Sequence, residues 1–179
     1  MNSAHFYLAL FFHLIFLILG FGSVMVIDTF GFLMLIKKTT PRMVNQVANV
    51  TQKLIWIGWV GMIISGLNLI ILKGNIDNLT SIKIFLVLLI GLNGIFLHQI
   101  KKALLQQAEL SSMPKQLKFK IFLSTLISQI GWWGALIIGF IHRHIDHHIT
   151  VPAHPFLWML NFLLGLSLIF MVGKIFIKN

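Results

Sequence analysis

The chain has 179 residues, of which 58% are hydrophobic and 10% are charged. A soluble domain of this length could not bury so much apolar side chain, so the composition excludes an ordinary water-soluble protein. The net charge of +10 would favour nucleic acid as a partner of a soluble protein. Here the lysines gather in loops between apolar segments, which is typical of a membrane protein, so we expect a lipid bilayer as the partner and no nucleic acid.

Five apolar segments are long enough to cross a bilayer, whose core is about 30 Å thick and needs about 20 apolar residues per helix. In chain order, the predicted spans are residues 6–36, 54–72, 82–100, 121–141 and 156–173. The sequence therefore predicts an all-α fold, a polytopic membrane helix bundle with five transmembrane helices. We expect residues 1–179 to form a single transmembrane domain.

The basic residues predict the orientation in the membrane. The second and fourth loops carry only Lys73 and Arg143. The first and third loops carry nine basic residues: Lys37, Lys38, Arg42, Lys53, Lys101, Lys102, Lys115, Lys118 and Lys120. By the positive-inside rule, the N-terminus lies outside and the C-terminus lies in the cytoplasm, as expected for a protein of a bacterial inner membrane.

Two sequence matches indicate an internal repeat. The stretch FLMLIKK at 32–38 reappears as FLHQIKK at 96–102, and IGWVGMIISG at 57–66 reappears as IGWWGALIIG at 130–139. Because the matches occur in the same order, helices 1 and 2 are predicted to be a parallel duplicate of helices 3 and 4, with helix 5 added. Such a plan is expected to have a pseudo-two-fold axis along the membrane normal.

A histidine-rich stretch, HRHIDHH at 142–148, follows the fourth span and is predicted to face outward. At a rise of about 1.5 Å per residue, His13 should lie roughly 36 Å from Lys37, near the same outer surface. Asp77 aligns with His13 in the repeat. The residues expected to share this face are His5, His13, Asp77, His142, His144, Asp146, His147, His148 and His154.

These side chains are suited to a transition metal. Neutral imidazole binds zinc, copper and similar ions, often together with a carboxylate. If helix 4 continues beyond the membrane, His144 and His148 stand one turn apart on one face. His147 is an alternative to His148, and Asp146 could bind the metal or orient a histidine. Since the chain has no cysteine, thiolate ligands are excluded. The competing interpretation is a hydrated loop whose histidines bind nothing.

Asp28 is the only acidic residue inside a predicted span. A carboxylate in the bilayer is costly unless it is protonated, paired or hydrated, so Asp28 is a candidate for a proton or cation role. Asn93, Ser128 and Gln129 are its candidate partners, and ordinary polar packing between helices is the alternative. His98, near the end of helix 3, is interpreted as an interfacial histidine, with a ligand role as the alternative.

Two stretches, HLIFLILGFG and SIKIFLVLLIGLNGIF, resemble two related groups of integral membrane proteins. These are the membrane protoporphyrinogen oxidases that carry haem b and the copper-resistance D type. The resemblance covers about the first 100 residues, including QKLIWIGWVGMIISG in the second span. It implies a cofactor-binding role for His13, as an axial ligand of haem b, and for Lys83, near a propionate.

Three functions follow as expectations. The leading one is a membrane protein that binds copper or zinc at its outer face and handles the ion, with passage inward past Asp28. The second is a haem b oxidoreductase, and the third is a noncatalytic assembly subunit. The sequence leaves open whether the protein is an enzyme and whether it forms a homo-oligomer.

Overall fold

The computed structural model describes residues 3–104, 113–144 and 153–178. These residues form helices joined by short turns and include no strand. The helices are α1 (Ser3–Leu35), α2 (Pro41–Lys73), α3 (Asn78–Leu104), α4 (Lys115–His144) and α5 (Pro155–Lys178). The predicted all-α helical bundle is therefore confirmed.

Each of the five helices contains a stretch that is long and apolar enough to cross a membrane. The stretches are Ala4–Leu35, Pro41–Lys73, Asn78–Lys101, Lys115–Ile141 and Pro155–Ile175. The large hydrophobic side chains on the surface of these helices, such as Ile18, Ile71 and Leu168, need lipid around them because water would make their exposure unfavourable. The chain is an integral membrane protein.

The turn between α1 and α2 is closed by backbone hydrogen bonds. The N–H of Lys38 donates to the carbonyl of Leu33 at 2.8 Å, and that of Lys37 donates to Met34 at 3.0 Å. Lys37 has a φ of 59°, which is the left-handed conformation. These two hydrogen bonds and this conformation together form the Schellman motif, which commonly ends a helix. Glycine is more common at this position. The positive charge of a lysine, however, interacts favourably with the negative end of the helix dipole.

Helix α2 begins well before the apolar segment that predicted it. Thr40 caps the helix, its hydroxyl accepting from the N–H of Met43 at 3.3 Å, and Pro41 occupies the first turn, where a missing N–H costs nothing. The predicted span began at residue 54 because a rule based on apolar length does not detect the polar first turns of a helix. The helix ends at Gly74, which has a φ of 79°.

Helix α3 is capped by Asp77. Its carboxylate Oδ1 accepts from the N–H of Thr80 at 2.7 Å, which satisfies one of the free N–H groups of the first turn. The negative charge also lies at the positive end of the helix dipole. Asp77 thus has a structural role at the start of α3.

The chain divides into two compact units. Unit 1 comprises Met1–Asn75 and Lys101–Ser112, and unit 2 comprises Ile76–Ile100 and Met113–Asn179. Unit 1 is thus built on α1 and α2, while unit 2 is built on most of α3 together with α4 and α5. The single domain spanning residues 1–179 stays a prediction.

Glycines allow the helices of unit 1 to approach closely. A Cβ atom at Gly58 would lie 2.6 Å from the Cα of Gly20, and one at Gly61 would overlap the ring of Phe16. Neither position can carry a side chain without moving a backbone or an aromatic ring. Because lipid supplies no hydrophobic driving force between helices, this close packing is a main source of their association.

In unit 2, α5 packs through aromatic side chains. Phe85 of α3 contacts Trp158 and Phe162 edge-on, at ring-centroid distances of 6.5 and 6.0 Å. At the other end of α5, the ring of Phe119 in α4 lies where a side chain at Gly173 would be. Such edge-on ring pairs add about 0.5–1.5 kcal/mol each beyond the area that they bury.

Candidate metal-binding site

The candidate site in unit 1 is built around His13, a polar side chain on the buried face of α1. His13 is 9% exposed and shares this face with Ala9 and Val24. Its ring lies against Gly66 of α2, where a Cβ atom would be 3.4 Å from Cε1. The absence of a side chain at Gly66 leaves room for the imidazole between the helices.

Ser65 holds the ring of His13 through a buried hydrogen bond. The distance between His13 Nδ1 and Ser65 Oγ is 2.9 Å. The Ser65 hydroxyl also donates to the carbonyl of Gly61 at 2.6 Å. The Ser65 oxygen thus lies between Nδ1 of His13 and the carbonyl of Gly61, and this contact fixes the orientation of the imidazole ring.

A ring that is held through Nδ1 in this way is suited to bind a metal through its other nitrogen. A histidine binds a metal through one ring nitrogen, while the other usually donates to an oxygen that fixes the ring. In unit 1 the oxygen is that of Ser65, and the ligating nitrogen would be Nε2. The sequence had indicated His13 but not Ser65, although a serine beside a glycine on the packing face of α2 is a usable signal.

The remaining predicted ligands are placed only in part. His142 and His144 belong to the last turn of α4, but their side chains lie outside the described part of the chain, as do Asp146, His147 and His148. His5 and His154 are exposed. Among the described residues, no three histidine or acidic side chains form a cluster that could hold a metal ion. The outer patch therefore stays a prediction.

Lys83 lies in unit 2, in the second turn of α3. It is half-buried, and its Nζ atom would be 3.5 Å from a Cβ atom at Gly139 of α4. The end of the Lys83 side chain therefore lies beside a glycine of the neighbouring helix, as the ring of His13 does in unit 1.

Asp28 is half-buried and lies one turn after Val24, which is 3% exposed. It is thus at the edge of the buried face of α1, and it takes part in an interaction within the described part of the chain. The proton or cation role of Asp28 stays a prediction.

Asn93, a candidate partner of Asp28, forms two hydrogen bonds with Ser124 within unit 2. Its Nδ2 donates to the carbonyl of Ser124 at 2.8 Å, and its Oδ1 accepts from the Ser124 hydroxyl at 2.7 Å. Both residues are buried. This two-bond contact joins α3 to α4 and satisfies the carboxamide in a medium without water. Ser124 was not among the residues singled out from the sequence.

Two further candidates have local roles. The side-chain oxygen of Gln129 accepts from the indole N–H of Trp133 at 2.9 Å, one turn along α4. His98 is exposed near the end of α3, and its interpretation as an interfacial histidine stays a prediction.

Over the residues that the structure describes, the fold is that of an integral membrane protein with five helices, and the site is a buried histidine between the first two of them. Comparisons of the chain with protein-family models, curated proteins and solved structures gave no match.

Proposed function

We propose that the protein binds a transition metal in the membrane, with Nε2 of His13 as a ligand. The observation that supports this most strongly is the buried hydrogen bond of 2.9 Å between His13 Nδ1 and Ser65 Oγ, because a histidine that binds a metal is usually oriented by a hydrogen bond to its other ring nitrogen.

Copper or zinc is the metal class that fits the residues. Both ions accept imidazole and carboxylate ligands. A separate set of candidate ligands, proposed by residue type alone, consists of the histidines at the end of α4 and in the segment that follows it. They are His142, His144, His147 and His148, with Asp146 as a carboxylate ligand or as the group that orients a histidine.

In this proposal the protein handles the ion between the outer face and the membrane interior. The lysine distribution favours an orientation in which the N-terminal end of α1 lies outside. His13 and Asp28 lie 15 residues apart on the same helix, about 22 Å at the helical rise. A cation that left His13 for the inner side would therefore reach the side chain of Asp28.

Haem b is the second candidate ligand, and the same histidine supports it. A porphyrin supplies four of the ligands of its iron, so a single imidazole, that of His13, is enough for an axial bond. A noncatalytic assembly subunit is the third candidate, and it would contain neither metal nor haem.

The experiment that separates these functions is analysis of the purified wild-type protein. A visible absorption spectrum detects haem through its Soret band, and elemental analysis after mild purification detects copper or zinc. About one copper or zinc per chain without a Soret band is the expected result. A Soret band would replace this proposal with the haem protein, and a protein with neither group would contradict both.

A further inference from the structure

Three glycines of α2 contact three residues of α1 along the interface between the two helices. A Cβ atom at Gly58 would lie 2.6 Å from the Cα of Gly20 and 2.8 Å from the carbonyl oxygen of Phe16. One at Gly61 would meet the ring of Phe16, and one at Gly66 would lie 3.4 Å from the ring of His13. In unit 1, α1 and α2 therefore pack through these three glycines, and we call such a set of three glycine contacts a ladder.

Unit 2 contains the same ladder between α3 and α4. A Cβ atom at Gly131 would lie 2.6 Å from the side chain of Ile90 and 3.6 Å from the carbonyl oxygen of Leu86. One at Gly134 would lie 2.8 Å from Cδ1 of Leu86. A Cβ atom at the third glycine, Gly139, would lie 3.5 Å from the Nζ atom of Lys83.

The two ladders correspond with constant offsets. The glycines of α4 follow those of α2 by 73 positions, as in Gly58 and Gly131. Every contacted residue of α3 follows its counterpart in α1 by 70 positions, which pairs Gly20 with Ile90, Phe16 with Leu86 and His13 with Lys83. The third pair, His13 and Lys83, consists of the two basic residues that contact the last glycine of each ladder.

This register differs from the one that the sequence indicates. The match of FLMLIKK with FLHQIKK has an offset of 64 positions and pairs His13 with Asp77. A shift of six residues turns a helix by about 240°, so the two registers present different faces to the partner helix. The residues that contact the glycines correspond in the 70-residue register. The basic residues at the ends of α1 and α3 correspond in the 64-residue register.

We infer that the two helix pairs are copies of one packing unit, and that positions 13 and 83 are the same ligand-facing place in each copy. The residue at this place sets what the copy can bind. In unit 1 it is an imidazole, and in unit 2 it is an amine. The serine that orients His13 is also missing from unit 2, where Ile138 corresponds to Ser65.

The register can be tested independently of any ligand. Because the chain has no cysteine, introduced cysteine pairs can be cross-linked by mild oxidation without background. The pairs Phe16→Cys with Gly61→Cys, and Leu86→Cys with Gly134→Cys, should both form disulfides. The matched control is Thr80→Cys with Gly134→Cys, the pair that the 64-residue register requires, and it should stay reduced. Efficient cross-linking of the control pair in place of the Leu86 pair would overturn the inference.

The claim about the ligand-facing place rests on the proposed function and has its own test. The double variant Lys83→His, Ile138→Ser supplies unit 2 with the imidazole and the hydroxyl of unit 1. Measured by elemental analysis and absorption, it should bind two equivalents of the metal or haem per chain where the wild type binds one. The single variant Lys83→His should bind the second equivalent about ten- to a hundredfold more weakly, because the orienting oxygen is missing.

The outcomes distinguish the two claims. One equivalent in both variants, with the expected cross-links still forming, would overturn the equivalence of positions 13 and 83. A wild type that binds neither metal nor haem would contradict the proposed function and with it the ligand-facing role, while the cross-links would still decide the register.

Discussion

The imidazole of His13 and the hydroxyl of Ser65 are 52 residues apart in the sequence and form a buried hydrogen bond of 2.9 Å. The Ser65 oxygen also contacts the carbonyl of Gly61 at 2.6 Å. The packing of α1 on α2 thereby fixes the orientation of the His13 ring.

Replacement of Ser65 by alanine should weaken metal binding without abolishing it. The variant keeps Nε2 but loses the oxygen that fixes the ring, a change that typically lowers metal affinity by about ten- to a hundredfold. Competition titration with a metal indicator measures the effect. The control is Ser23→Ala, because the Ser23 hydroxyl bonds only to the carbonyl of Leu19 within its own helix. Equal losses in the two variants would contradict a specific role of Ser65.

Alanine at Gly58 should destabilise the protein more than alanine at Gly66. The new methyl group at Gly58 would meet the backbone of Gly20 at 2.6 Å, whereas at Gly66 its nearest contact is an ordinary 3.4 Å. Overpacking of this kind costs about 1–3 kcal/mol. Thermal unfolding in detergent gives the order of stability. Gly22→Ala serves as the control because no atom lies within 4 Å of a Cβ atom there, and it should be neutral or slightly stabilising.

Loss of the Asn93–Ser124 contact should lower stability but leave ligand binding unchanged. Hydrogen bonds between membrane helices contribute about 0.6–2 kcal/mol, and the variant Asn93→Ala removes two of them. A double-mutant cycle with Ser124→Ala measures the coupling between the two residues. Additive effects would mean that the contact contributes nothing to stability, and a lower metal content would place Asn93 in the binding site.

The histidine-rich segment gives a separate prediction. If His144 and His148 bind metal, zinc or copper affinity should fall in the double variant His144→Ala, His148→Ala. Affinity should also fall as the pH decreases through the ordinary histidine range, about 6.5, because a protonated imidazole cannot bind a metal. Titrations at two pH values test both statements. Equal affinity in the wild type and the double variant would reduce this segment to a hydrated loop.

The helices could be predicted from the sequence because the bilayer requires long apolar runs, and five such runs are present. Their ends could not be predicted equally well. The start of α2 at Pro41 depends on the cap from Thr40, and the apolar length of the span carries no information about it.

The candidate site could be predicted only by residue type. His13 was identifiable as a possible ligand, but its pairing with Ser65 depends on the register between α1 and α2. That register is set by the close approach of Gly58 and Gly61 to Gly20 and Phe16, a contact that no pattern within one helix reveals. For the same reason the sequence repeat paired His13 with Asp77, whereas the glycine contacts pair it with Lys83.

The most direct test of the proposal is the metal and haem content of purified His13→Ala, compared with the wild type. The matched control is His98→Ala, which changes an exposed histidine of α3 and should retain the content of the wild type. If Nε2 of His13 is a ligand, His13→Ala should lose most of the bound copper or zinc while still folding, as judged by its elution as a single species. A His13→Ala protein with the full wild-type content would contradict the central claim.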